Sequence, residues 1–254
     1  MACALAAGIA MADTAVESAN IVGYTEQSVA SDTYYMVGVQ FGQVGGEVAA
    51  ISFNDLIQMS GVSAVSYFDM ETDAAQILVN TATGYDFYYY ISDAYDTDGN
   101  EVEGWADGEG NLVETADKNL GDGFWFKTAT VNSGASIKVL GEVSQVKSKT
   151  VDFANGWSII ANPFPVDTEL LNVITTGIPA VSYFDMETDA AQILVNTASG
   201  YDFYYYISDA YDTDGNEVEG WADGEGNACV GVQVKAGEAF WVNSACAGSL
   251  TFTH

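Results

Sequence analysis

Carboxylates are the commonest chemistry-bearing groups in this chain, and one stretch of them is dense enough to hold a cation. Asp93, Asp96, Asp98, Asn100 and Glu101 fall within nine residues, followed by Asp107 and Glu109, and the same set recurs from Asp209 to Glu225. Calcium takes several oxygen ligands from one turn. Asp96, Asp98, Asn100 and Glu101, with Asp212, Asp214, Asn216 and Glu217, are therefore the candidate ligands, and Ca2+ is the one candidate cofactor. An EF-hand loop does not fit. With Gly99 at its sixth position, Ala94 falls at the first and Trp105 where the bidentate glutamate belongs. The competing reading is a hairpin with a solvated acidic tip.

Other chemistry is thinly supported. Nucleophilic catalysis needs a base, and the one histidine is His254, at the very end of the chain, a poor place to preorganise a reaction. Ser144-Gln145-Val146-Lys147 has the S-x-x-K spacing without its companion motifs and reads as linker. Walker-type and dinucleotide loops are absent. Any chain this acidic holds carboxylate pairs of the glycosidase kind by composition alone. Trp105 and Trp221 stand beside acidic turns, where they would stack on sugar rings, although core tryptophan at a strand end is the commoner explanation. The expectation is a protein that is not an enzyme.

Thirty-six acidic residues face six lysines, with no arginine, for a net charge of −30. Such a surface repels phosphate and anionic lipid, which argues against nucleic-acid and membrane-surface partners. It also leans on screening salt or on bound cations. Residues 1–12 are small and apolar and end in the A-x-A pattern Ala10-Met11-Ala12, so they read as a signal-peptide end or an apolar N-terminal arm, without the usual basic start. The stretch is too short to span a bilayer, and no second apolar run approaches spanning length. Cys3 lies within it. Export favours a disulfide between Cys229 and Cys246, and no Cys/His cluster supports zinc.

The elements that must position these groups come in duplicate. Ala64–Asn111 returns at Ala180–Asn227 with 47 of 48 residues unchanged, Thr83 against Ser199 being the one difference. This divides the chain into the arm 1–12, a first module 13–142 and a second module 143–254. Strands are expected at 34–41, 64–68, 76–79, 84–91, 101–105, 123–126 and 137–140, with counterparts in the second copy. A short helix is expected after Asp167-Thr168-Glu169, with Phe53–Met59 as its weaker partner. Alternation along Gly84–Ile91 assigns Tyr85, Phe87, Tyr89 and Ile91 to the core. It leaves Tyr88 and Tyr90, with Tyr204 and Tyr206, as an aromatic outer face covered by the other module or another subunit. The fold class expected is all-β: two tandem β-sandwich or partly open β-barrel modules, each with at most one short helix.

Gly156-Trp157-Ser158-Ile159-Ile160-Ala161-Asn162-Pro163-Phe164-Pro165 resembles the "GWNLIGNPYP" opening of a module common in secreted bacterial surface proteins. Ala236-Gly237-Glu238-Ala239-Phe240-Trp241-Val242 resembles the "PGQGFFV" close of those modules, and Gly248–Phe252 their last strand. Asn20–Tyr24 is similar to openings of exported proteins of the Verrucomicrobia and their relatives. The first copy departs from the frame, with Tyr34 for the tryptophan and Val39-Gln40-Phe41 for Asn-Pro-Phe. The resemblance implies a non-catalytic, β-rich, extracellular or cell-surface protein. The function expected is an exported structural protein, a subunit of an extracellular filament, sheath or surface layer, whose partner is itself as an oligomer or polymer. The alternative is a secreted carbohydrate-binding protein, with glycans as partner and exposed Trp and Tyr beside acidic turns as its mark.

Overall fold

The computed structural model describes residues 22–44, 50–115, 117–129, 134–197 and 200–254; the apolar leader and Cys3 lie outside them. The first module contains β1 (Val22–Ser28), β2 (Thr33–Gly38), β3 (Phe41–Gly42), β4 (Ile57–Ser60), β5 (Ala75–Thr81), β6 (Gly84–Tyr95), β7 (Glu101–Ala106), β8 (Gly123–Thr128) and β9 (Ser136–Val143). The second contains β10 (Ser148–Phe153), β11 (Gly156–Ala161), β12 (Thr168–Glu169), β13 (Ile174–Thr176), β14 (Gln192–Thr197), β15 (Gly200–Tyr211), β16 (Glu217–Ala222), β17 (Gln233–Val234), β18 (Ala239–Ser244) and β19 (Gly248–Thr253). The chain passes from one module to the other between Val143 and Ser148.

Each module is a sandwich of antiparallel sheets, so the fold is all-β. A five-stranded sheet, β2-β8-β5-β6-β7 or β11-β18-β14-β15-β16, packs on a smaller one in which β9 or β19 is central. The β-branched and aromatic residues that alternate along these strands fill the space between. In the first module Phe53, Trp105, Phe124 and Phe126 meet Ile137 and Val139. In the second, Trp221 and Phe240 meet Leu250 and Phe252.

Helical structure is confined to single turns. The first module has two, α1 (Phe53–Leu56) and α2 (Met70–Asp73), and the second has α3 (Met186–Asp189). Ser52 caps α1 by accepting the amide of Asp55 at 3.2 Å. The helix expected after Asp167 is instead β12 and a 3-10 turn at Leu170–Asn172. The carboxylates that would have capped it are engaged elsewhere: Asp167 accepts the amide of Ala236 at 3.0 Å and Glu169 that of Gly231 at 2.6 Å. The strand expected at 64–68 is also replaced. Only Val65 forms a bridge, to Ile91, before a 3-10 turn at Tyr67–Asp69.

The tyrosine strand departs from the expectation at its start, where Tyr85 and Phe87 are exposed. Ile91 is buried as expected, in a cluster with Met70 and Ala94 on which Tyr89 packs. Tyr88 and Tyr90 pack on the first module's own core, Tyr88 against Phe53 at 5.3 Å and Tyr90 against Trp105 at 5.5 Å. Tyr204 packs on the second module's core, and Tyr206 is buried against Trp221. These four tyrosines therefore lie on the face that packs toward each module's own core. Phe87 and Phe203, expected in the core, are 43% and 44% exposed. Both faces carry rings, so alternation marks two faces without saying which one turns inward.

The outward face of each five-stranded sheet is covered in part by the other module. Met36 and Trp125 meet Ile159, Ala161, Ala239 and Trp241, with the two tryptophan rings 6.5 Å apart. Equivalent residues face each other as across a local two-fold axis. Gly38 N–H donates to Gly237 O at 3.0 Å, and at the matched place Ala161 N–H donates to Gly121 O at 2.7 Å. Small residues permit this approach: a Cβ on Gly38 would stand 2.5 Å from that of Ala161.

Candidate functional site

Away from that interface, each module shows aromatic rings to solvent at matched positions. Phe68 is 89% exposed and Phe184 90%, far more than burial-seeking rings usually show. Their placement is built in. Asp93 accepts the amide of Tyr67 at 2.7 Å and the hydroxyl of Ser66 at 3.2 Å, which pins the 3-10 turn. Asp209 does the same to Tyr183 at 2.7 Å and Ser182 at 3.1 Å. With each turn so held, the tyrosine ring lies edge-on to the following phenylalanine. Tyr85 and Phe87 are exposed on β6, and Phe87 stacks at 6.4 Å and an interplanar angle of 16° on Tyr89, which packs with Tyr67 on the cluster of Met70 and Ile91. Sequence reasoning missed Phe68 and Phe184. The signal that identifies their turn is Ser66-x-x-Asp69, repeated at Ser182-x-x-Asp185, which has the spacing of a capping motif.

The candidate cation ligands do not converge. Asp96 Oδ1 accepts the amides of Asp98 at 3.0 Å and Asn100 at 2.8 Å, and Asp96 Oδ2 accepts from the Asn100 side chain at 3.0 Å. These bonds, the Asn100 side chain foremost, hold the Asp96 carboxyl below the usual carboxylate range. Asp212 is held down in the same way, chiefly by the amide of Asn216. Glu101 turns to the hydroxyl of Tyr95 at 3.3 Å. The pattern is Asp-x-x-Gly-Asn, and it recurs at Asp107–Asn111, Asp212–Asn216 and Asp223–Asn227 with the same bonds and with glycine at positive φ each time. The acidic turns are thus four copies of one self-capped turn. No group of three or more His, Cys, Asp or Glu side chains is assembled among the described residues.

The remaining candidates are placed as follows. Cys229 is buried and Cys246 exposed, and both are free thiols, so the expected disulfide is not formed. The Cys229 sulfur faces the core beside Trp221, and burial pushes its thiol up to about 12. Trp105 and Trp221 are each 1% exposed and present no ring for a sugar to stack on. Burial and the Glu219 carboxylate, which accepts the Tyr206 hydroxyl at 2.7 Å, push Tyr206 up to about 12. His254 packs edge-on to Phe164 at 4.5 Å and lies 3.1 Å from Val146 O, as part of the module's end. No described helix is long and apolar enough to cross a membrane. Comparison with protein-family models, with curated proteins and with solved structures returns no match.

Proposed function

We propose that this is a non-catalytic, exported structural protein that assembles with copies of itself through the exposed aromatic surfaces. The duplicated display of Phe68 and Phe184 carries the reading. Each is nearly bare, each is held out by a carboxylate that bonds its turn, and each neighbours an outward aromatic row. Contact between copies would bury these rings, and apolar burial is worth about 25 cal/mol per Å2. Two matched patches on one chain let each copy bind two others, so contacts extend rather than stop at a pair. The charge of −30 opposes close approach of copies, so assembly depends on ionic strength.

Sedimentation and electron microscopy at low and high salt, with and without a calcium chelator, test the proposal. Wild-type protein is expected to form large particles at high salt, and the Phe68→Ser, Phe184→Ser double variant to remain monomeric. Both substitutions sit on exposed positions and leave the fold intact. Wild-type protein that is monomeric at every salt concentration overturns the reading. Particles that dissolve on chelation would bring a cation into the contacts, and particles indifferent to chelation would leave it out.

A further inference from the structure

A trough runs between the two modules, under the turn that precedes β18. Three hollows of about 200, 70 and 770 Å3 share walls along it: Gln27 lines the first two, Tyr35 and Asn196 the last two, and Glu238 all three. We propose that this trough binds a neutral oligosaccharide. The inference is independent of self-assembly, since Phe68 and Phe184 lie outside it.

The walls of the largest hollow have the chemistry a sugar chain uses. Tyr34 is half-exposed there, with Lys127 Nζ 5.4 Å from its ring centre, and Tyr204 lines the same hollow; aromatic rings accept the C–H faces of pyranose rings. Asn196, Gln233 and Asp202 supply amide and carboxylate groups to its walls. Hydroxyl groups need paired donor and acceptor partners of this kind. At the narrow end, Gln40 is fully buried behind Thr25, to which its Nε2 donates at 2.6 Å, and its Oε1 has no partner among the described residues.

Charge narrows the ligand class. Glu26, Asp202 and Glu238 line the trough; Lys235 stands 3.9 Å from Glu238, Lys138 stands 3.9 Å from Glu26, and Lys127 lies over the Tyr34 ring. The net charge of −30 on the whole chain opposes an anionic glycan or a phosphorylated ligand. The mixture of amides and carboxylates around the rings is too polar for a purely apolar ligand.

Titration calorimetry and affinity electrophoresis with xyloglucan, mannan, β-glucan and dextran, and with anionic alginate as contrast, test this. The expected result is binding to a neutral polysaccharide that weakens about tenfold in a Tyr34→Ala, Asn196→Leu variant, with circular dichroism showing both proteins folded. The Phe68→Ser, Phe184→Ser variant is expected to bind as wild type does, whether or not it assembles. Binding to none of the neutral polysaccharides, binding unchanged in the trough variant, or binding only to alginate or to a peptide pool would each overturn the proposal.

Discussion

The first and second modules share a 48-residue meander that differs at one position, and it folds the same way twice. Its surroundings do not. In the first module Asn80 Nδ2 donates across the interface to Trp157 O at 2.8 Å. Its counterpart Asn196 lines the open trough instead. Tyr88 is covered by Phe53, while the residue in that place beside Tyr204 is Leu170, and Tyr204 reaches the trough wall. The Trp221 indole donates to Thr175 at 2.9 Å, whereas the Trp105 indole, equally buried, has no partner among the described residues. Met59 pairs with Ile137 where Thr175 pairs with Leu250. The meander sets what each module displays, and the divergent flanks decide which of those groups are closed off.

The two-fold packing should be the easiest part of this comparison to break. Gly38→Val forces a side chain against Ala161 and is expected to cost about 2 kcal/mol. Urea denaturation should then resolve two transitions where the wild type shows one, and a single unchanged transition would mean that the modules are held together elsewhere. Thr175→Val makes the second module imitate the first by leaving the Trp221 indole unpaired. The expected loss is about 1–2 kcal/mol, and Met59→Thr, tested in the same denaturation series, should recover part of that amount in the first module.

Smaller effects sharpen the contrast at the interface. Asn80→Ala is expected to cost about 1 kcal/mol and Asn196→Ala less than about 0.5 kcal/mol, measured as shifts in denaturation midpoint. Equal costs would show that the trough is closed in solution. The last test asks where the modules should not differ. Asp96 and Asp212 are both held below the ordinary aspartate value of about 3.9. Their contribution to stability is therefore complete above that value and lost as pH falls through the lower folded value. Carboxyl NMR titration should show the two moving together, and a separation between them would mean that the flanks reach the turns.

Much of the architecture was legible from alternation and turn chemistry. The strands at 76–79, 84–91, 101–105 and 123–126 lie within β5, β6, β7 and β8, because period-two patterns and glycine at tight turns are local signals. What was not legible depends on distant partners. The inward face of Gly84–Ile91 could not be read from a strand with rings on both sides. The turn at Tyr67–Asp69 is held by Asp93, 26 residues away from the amide it accepts. Asp93 and Asp96 looked like members of one ligand set in the sequence, yet one pins an aromatic turn and the other caps its own. The trough arises from residues of both modules that have no proximity in the chain.

The near-identity of β5–β7 and β14–β16 also bears on how the chain reaches this structure. During refolding of the whole protein, either meander can pair with β8 or with β18, because the edges they offer are the same. Exchanged pairings hold native-like hydrogen bonds and must largely dissolve before they can correct, so they act as kinetic traps. Synthesis from the N-terminus lessens the ambiguity. β8 emerges while only the first meander exists, and the native partners can find each other before a competitor has been made.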